Sequence, residues 1–221
     1  MFTKLREIFL VNFLSYFTLS PYSLSKSMSF LISGKDYFVY KEKQTTPVPG
    51  NKCSLEKNCP PDSFAVRIKS GAANVVGPTI CFDGQNVMSH VMNNVGPGFN
   101  IVVVNRETGT VDKFGYLNSK SGRSEDIINY LKKIEPGRIV LLATFDDVTP
   151  KLTDEIRDVL ESMGSTLIKT VKSKDNWVFA GTPGAAEKSP FEKMTVNDLE
   201  KNMYKDWPEV VEISGCFPKN S

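Results

Sequence analysis

The chain has 221 residues, 40% of them hydrophobic and 24% charged, with 27 basic side chains against 25 acidic ones and a net charge of +2. That length suits one domain plus processed or linking sequence, and the composition is that of an ordinary globular protein. With charge nearly balanced, no basic run and no RNA-binding aromatic motif, nucleic acid is excluded as an expected partner, and a membrane surface or polyanion is not favoured.

At the N-terminus, Lys4 and Arg6 precede a mostly apolar stretch from Ile8 to Leu19, interrupted by Asn12, Ser15 and Thr18. This order is that of a secretory signal, and the stretch is too short for a comfortable membrane span. Residues 1–25 are read as a signal peptide, with an uncleaved anchor as the alternative. Ser20, Ser23 and Ser25 are small enough for cleavage, although no A-x-A pattern marks the site. No later run of about 18 apolar residues occurs, so no stable membrane insertion is expected after signal removal. Residues 26–52 read as a linker ending in Thr45-Thr-Pro-Val-Pro-Gly50, whose prolines and glycine favour extended chain. The folded domain is expected at 53–221.

Within it, Phe64 to Ile68 alternates apolar and polar residues, as a half-buried strand does. Phe99 to Val104 is a strand apolar on both faces. Asn105 to Gly109 reads as a hairpin loop, with Gly109 suited to positive φ, and Thr110 to Phe114 returns antiparallel. Ser124 is expected to cap a helix running to Ile134, with Ile127, Ile128, Leu131 and Ile134 on one face. Ile139 to Thr144 is a central strand. Thr153 caps a second helix whose face is Ile156, Val159, Leu160 and Met163, and Gly164 ends it. Short strands are expected at Thr166 to Ile168, Trp177 to Ala180 and Val210 to Ile213. The fold class is mixed α/β, mainly antiparallel.

The four cysteines, Cys53, Cys59, Cys81 and Cys216, allow three pairings, and spacing does not choose among them. A chain with an export signal and cysteines at both ends of its domain points to an extracellular, disulfide-stapled protein. Zinc is disfavoured: no C-x₂-C occurs and His90 is the only histidine. No cofactor and no metal are expected.

Several motifs are distinctive: Ser70-Gly-Ala-Ala-Asn-Val-Val-Gly-Pro78, then Ile80-Cys-Phe-Asp83, Asn93-Asn-Val-Gly96, Asp175-Asn-Trp-Val-Phe179, Lys188-Ser-Pro-Phe-Glu192 and Trp207-Pro-Glu-Val-Val-Glu-Ile-Ser-Gly-Cys216. In this order they resemble the secreted cytokine-like family that includes interleukin-like EMT inducer and pancreatic-derived factor, whose module is similar to the GG-type lectin domain. The resemblance runs from about Cys53 to Pro218. It implies a compact β-β-α fold of two sheets flanked by short helices, with the bridges Cys53–Cys81 and Cys59–Cys216. Some relatives carry a further cysteine after Trp-Val-Phe and use it for covalent dimerisation. This chain has Ala180 there, so no covalent dimer is expected and the protein is read as a monomer. Where the family has Gly-Arg-Gly, this chain has Gly96-Pro97-Gly98, which removes a planar hydrogen-bonding fork.

An enzyme is not expected. One histidine undercuts histidine-dependent triads, no G-x-S-x-G elbow occurs, and Gly71 to Gly77 lacks the ending of a phosphate loop. Its small residues are read as permitting tight backbone packing. Asp146 and Asp147, at the end of an apolar strand, are the leading polar candidates for a ligand such as sugar hydroxyls, weighed against turn and capping chemistry. Trp177 and Trp207 are the aromatic candidates for stacking on a sugar, weighed against core packing. Two functions from different classes follow. The resemblance implies a secreted cytokine- or hormone-like signal acting through a cell-surface receptor. The alternative is a carbohydrate-binding lectin module that recognises a cell-surface or matrix glycan without signalling of its own.

Overall fold

A computed structural model describes residues 39–40 and 51–219. The expected signal peptide, 1–25, and all of the 26–52 linker except residues 39–40 and 51–52 lie outside the described residues. The elements are β1 Val39–Tyr40, β2 Ser63–Lys69, β3 Thr79–Phe82, β4 Gln85–Met88, β5 Gly98–Asn105, β6 Val111–Asn118, α1 Ser124–Lys132, β7 Arg138–Phe145, α2 Asp154–Ser162, β8 Asn176–Gly181, β9 Glu192–Thr195 and β10 Glu212–Pro218. They build a six-stranded sheet ordered β1-β6-β5-β7-β8-β9 and a four-stranded sheet ordered β10-β2-β3-β4. Each pairing is antiparallel.

Strand alternation explains the layering. Successive side chains of a strand point to opposite faces. Phe99, Ile101, Val103, Val140 and Leu142 therefore share one face of the large sheet, where they pack with Ile127 and Leu131 of α1 and Ile156 and Leu160 of α2. Val102, Val104, Ile139, Leu141 and Ala143 take the opposite face and pack against Val66, Ile68, Ile80 and Phe82 of the small sheet. The layers are small sheet, large sheet, helices, which is the β-β-α arrangement that the resemblance implies.

The structure forms two disulfides, Cys53–Cys81 and Cys59–Cys216. The first lies with Ala65 on the outer face of the small sheet. The second joins residues 157 positions apart and fastens β10, which pairs with β2 from Glu212↔Lys69 to Pro218↔Ser63. All four cysteines of the chain are thereby used.

Some local expectations change. Ser124 does not cap α1. Arg123 occupies the cap position without a side-chain cap bond, and its guanidinium instead holds Asp126 through Nε and Nη2 at 3.0 and 2.9 Å. The helix stops at Lys132, short of Ile134, which still packs on the core. Thr153 does cap α2, accepting from the Ile156 N–H at 3.3 Å, and Gly164 follows that helix at φ +100°. No strand forms at Thr166 to Ile168. The Glu192 carboxylate takes the N–H groups of Thr166 and Leu167 at 2.6 and 3.1 Å, and a 3-10 turn Ile168–Thr170 results. The last strand begins at Glu212, not Val210, because the Val211 N–H donates to Ser70 Oγ at 3.0 Å and its carbonyl accepts from Ser70 N. The β3–β4 hairpin, which the strand pattern did not suggest, turns at Asp83-Gly84 with φ of 47° and 94°, as a two-residue Asp-Gly turn requires.

Candidate functional site

One end of the sandwich gathers the loops that follow β2, β4, β6, β7 and the 3-10 turn Ile168–Thr170. Small residues bring them together. A Cβ on Gly71 would lie 2.4 Å from Phe145 Cδ2, and one on Gly77 would lie 2.3 Å from Val95 Cγ2. Either is closer than van der Waals contact permits, so the loop after β2 lies tight against the end of β7 and the loop after β4.

Asp146 directly follows β7. It adopts φ +61°, a left-handed conformation that aspartate tolerates by bonding its own neighbouring backbone. Its Oδ1 accepts from the Asp147 N–H at 2.8 Å, and its N–H donates to the Ala73 carbonyl at 3.3 Å. Oδ2 forms an ion pair with Lys120 Nζ at 2.6 Å, with the two side chains 8% and 59% exposed. A sunken carboxylate is thus covered by a lysine that reaches in from solvent.

Asp147 is engaged on every side. Oδ1 accepts from the Thr149 N–H at 2.9 Å and Oγ1 at 2.7 Å, Oδ2 accepts from Ser173 Oγ at 2.6 Å, and its carbonyl accepts from Ser119 Oγ at 2.6 Å. Burial pushes its carboxyl up. The opposing hydrogen bonds from the Ser173 and Thr149 side chains and from the Thr149 and Lys174 backbone outweigh burial and hold it below the ordinary aspartate value. Asp147 is a joint between three loops, while Asp146 presents the carboxylate that a ligand could reach by displacing Lys120. Among the described residues no group of three or more histidine, cysteine, aspartate or glutamate side chains could hold a metal ion.

Trp177 is corrected from ligand candidate to core. It is 0% exposed, stacks on Phe179 with centroids 5.4 Å apart, and meets Phe99 edge-on at 6.0 Å. Its Nε1 donates to Glu192 Oε1 at 2.8 Å, so its polar tip is satisfied inside. Trp207 is half-buried, and Lys174 Nζ sits 5.2 Å from its ring centroid. Since Ser173 holds Asp147 and Lys174 covers Trp207, one short loop joins both candidates to the same end of the molecule. His90 is exposed on the neighbouring loop.

Sequence reasoning missed the apolar tips there. Val75 is 70% exposed and Val91 94%, with Val76 and Met92 beside them also exposed. The available signal was two valines between Asn74 and Gly77, in a segment read as small residues that permit tight backbone packing. A second exposed apolar group is Val196, Leu199, Met203 and Tyr204, on the segment leading to Trp207.

A family profile described as interleukin-like EMT inducer matches residues 97–185, which include the large sheet's central strands, both helices, Asp146, Asp147 and Trp177. The chain is 43% identical to Protein FAM3C of Danio rerio over 88% of this chain and 86% of that one. It is 47% identical to Protein FAM3C of Xenopus laevis over 79% and 76%, and 42% identical to Protein FAM3D of Mus musculus over 77% and 77%. The chain belongs to the interleukin-like EMT inducer family. Membership in this cytokine-like family supports a secreted signalling factor, and the two bridges fit an oxidising compartment. No helix among the described residues is long and apolar enough to cross a membrane. At the site, Pro97 lies between two closely packed glycines. A Cβ on Gly96 would lie 2.5 Å from the Tyr116 ring, and one on Gly98 would lie 2.0 Å from the Leu117 carbonyl oxygen. Lys120 is the cation that the structure places on Asp146.

Proposed function

We propose that this protein is a cytokine- or hormone-like signal, exported through its N-terminal segment, that acts by binding a cell-surface receptor with the loop end of its sandwich. Family membership carries this reading. The exposed tips Val75, Val76, Val91 and Met92 support the choice of surface, because apolar side chains grouped in solvent at one end of a fold mark interaction sites. The protein acts by recognition and not by turnover, and with every cysteine bridged any self-association is non-covalent. The test compares cell-surface binding of purified protein with that of a Val75→Asp, Val91→Asp variant. Binding should fall at least about tenfold, a loss of about 1.4 kcal/mol, while the thermal midpoint stays put. Unchanged saturable binding by the variant would remove the loop tips from the interface. Turnover of any glycan substrate would contradict a binding role.

One observation favours a glycan as the bound group. Asp146 and Lys120 present a carboxylate and an ammonium side by side, a pair able to accept from and donate to vicinal hydroxyls. Asp146→Asn should then abolish binding on a glycan array with the fold intact. Receptor-dependent responses without any glycan binding would leave the first reading alone standing.

A further inference from the structure

We propose that Ser54 is a phosphorylation site for an acidophilic protein kinase of the secretory pathway. Such kinases read a serine followed two positions later by an acidic residue, and Ser54-Leu55-Glu56 has that pattern. The backbone makes a tight turn here, with Cys53 and Ser54 at φ 54° and 53°. Ser54 and Glu56 are both exposed, whereas Cys53 is buried in its bridge to Cys81. The segment lies on the outer face of the small sheet, where Leu55 packs against the Cys53–Cys81 bridge, and it presents Ser54 and Glu56 to solvent.

The surroundings suit the product. Arg67 Nη1 donates to the Cys53 and Ser54 carbonyls at 3.4 and 3.3 Å, while its Nε holds Glu212 Oε1 at 2.7 Å. A phosphate on Ser54 would find a guanidinium already at its own residue, and Lys57 is exposed three positions on. In the reaction Ser54 Oγ attacks the γ-phosphorus of ATP. The new O–P bond replaces the bond to the β,γ-bridging oxygen, ADP leaves, and the hydroxyl proton passes to the kinase base.

This inference rests on the export reading, so its test has two arms. Peptide mapping of the protein from mammalian culture medium should find phosphate on Ser54. Separately, the purified, disulfide-intact protein should be phosphorylated at Ser54 by a purified kinase of this class with ATP. Glu56→Ala, an exposed substitution that leaves the fold alone, should reduce incorporation to background in both arms. Phosphorylation in the purified arm of a protein that never reaches the medium would keep the site and sink export. Unmodified Ser54 in both arms, or incorporation unaffected by Glu56→Ala, overturns the proposal.

Discussion

The two sheets are held by different physics. The large sheet's inner strands are covered on both faces, by helices on one side and the small sheet on the other, and Val140, Leu141, Leu142 and Phe179 are wholly buried. The small sheet packs one face on the large sheet, and its other face is only partly covered, by the segment around Cys53 and Leu55. On its other face lies the Cys53–Cys81 bridge, and Cys59–Cys216 ties down its edge strand β10. Burial organises the first region and covalent closure organises the second. A disulfide-stapled module can therefore use a thin, partly solvated layer that hydrophobic burial alone would leave weakly held.

The bridges offer the strongest way to break this comparison. In the chain-entropy model, loops of 157 and 28 residues of separation correspond to about 5 and about 3.5 kcal/mol. Replacing Cys59 and Cys216 by serine should therefore lower stability more than replacing Cys53 and Cys81, as read by denaturant unfolding of each double variant. If the Cys53/Cys81 variant is the weaker protein, packing of that buried bridge outweighs chain entropy. Next in size, Trp177→Ala in the large sheet should cost about 3–5 kcal/mol, because it opens a cavity and removes one of the hydrogen bonds to the Glu192 carboxylate. Its cost should be the same with or without the Cys59–Cys216 bridge if the two regions are independent.

Smaller effects sharpen the boundary between scaffold and loop end. Asp147→Asn should cost about 1–2 kcal/mol at neutral pH through its weakened bonds to Ser173 and Thr149. Because the folded Asp147 carboxyl titrates below the ordinary value of 3.8, its contribution is fully present above that pH. It is lost as pH falls through the lower folded value. Acid titration of stability should thus be shallower in the variant than in the parent. Least of all, Thr153→Ala should cost about 1 kcal/mol and Ser124→Ala under about 0.5 kcal/mol, since only Thr153 makes a capping bond. Thermal melts of the two variants measure that difference.

Legibility in the sequence followed the same division. β5 and β7 were plain, because strands buried on both faces read as continuous apolar runs. Asp83-Gly84 carried a usable turn signal, but the β4 strand beyond it is only four residues long, Gln85–Met88, and half polar. β9 was hidden for a similar reason: Glu192-Lys-Met-Thr195 has no apolar run, and its place is set by pairing with β8. The false strand at Thr166 to Ile168 failed because a carboxylate distant in sequence, Glu192, captured its N–H groups. At the candidate site, the adjacent aspartates were visible, but their unequal roles were not. Ser119 and Lys120 come from the loop after β6 and Ser173 from another, and only the fold shows that Asp147 is taken up by hydrogen bonds from Thr149 and Ser173 while the more deeply buried Asp146 pairs with a lysine.

Intact mass and peptide mapping of the protein from mammalian culture medium, alkylated with and without prior reduction, test the account most directly. The account predicts a protein in the medium with a trimmed N-terminus, linked peptides for Cys53–Cys81 and Cys59–Cys216, and alkylation of its four cysteines only after reduction. Retention inside the cell, or alkylation without reduction, would contradict an exported, disulfide-closed signal.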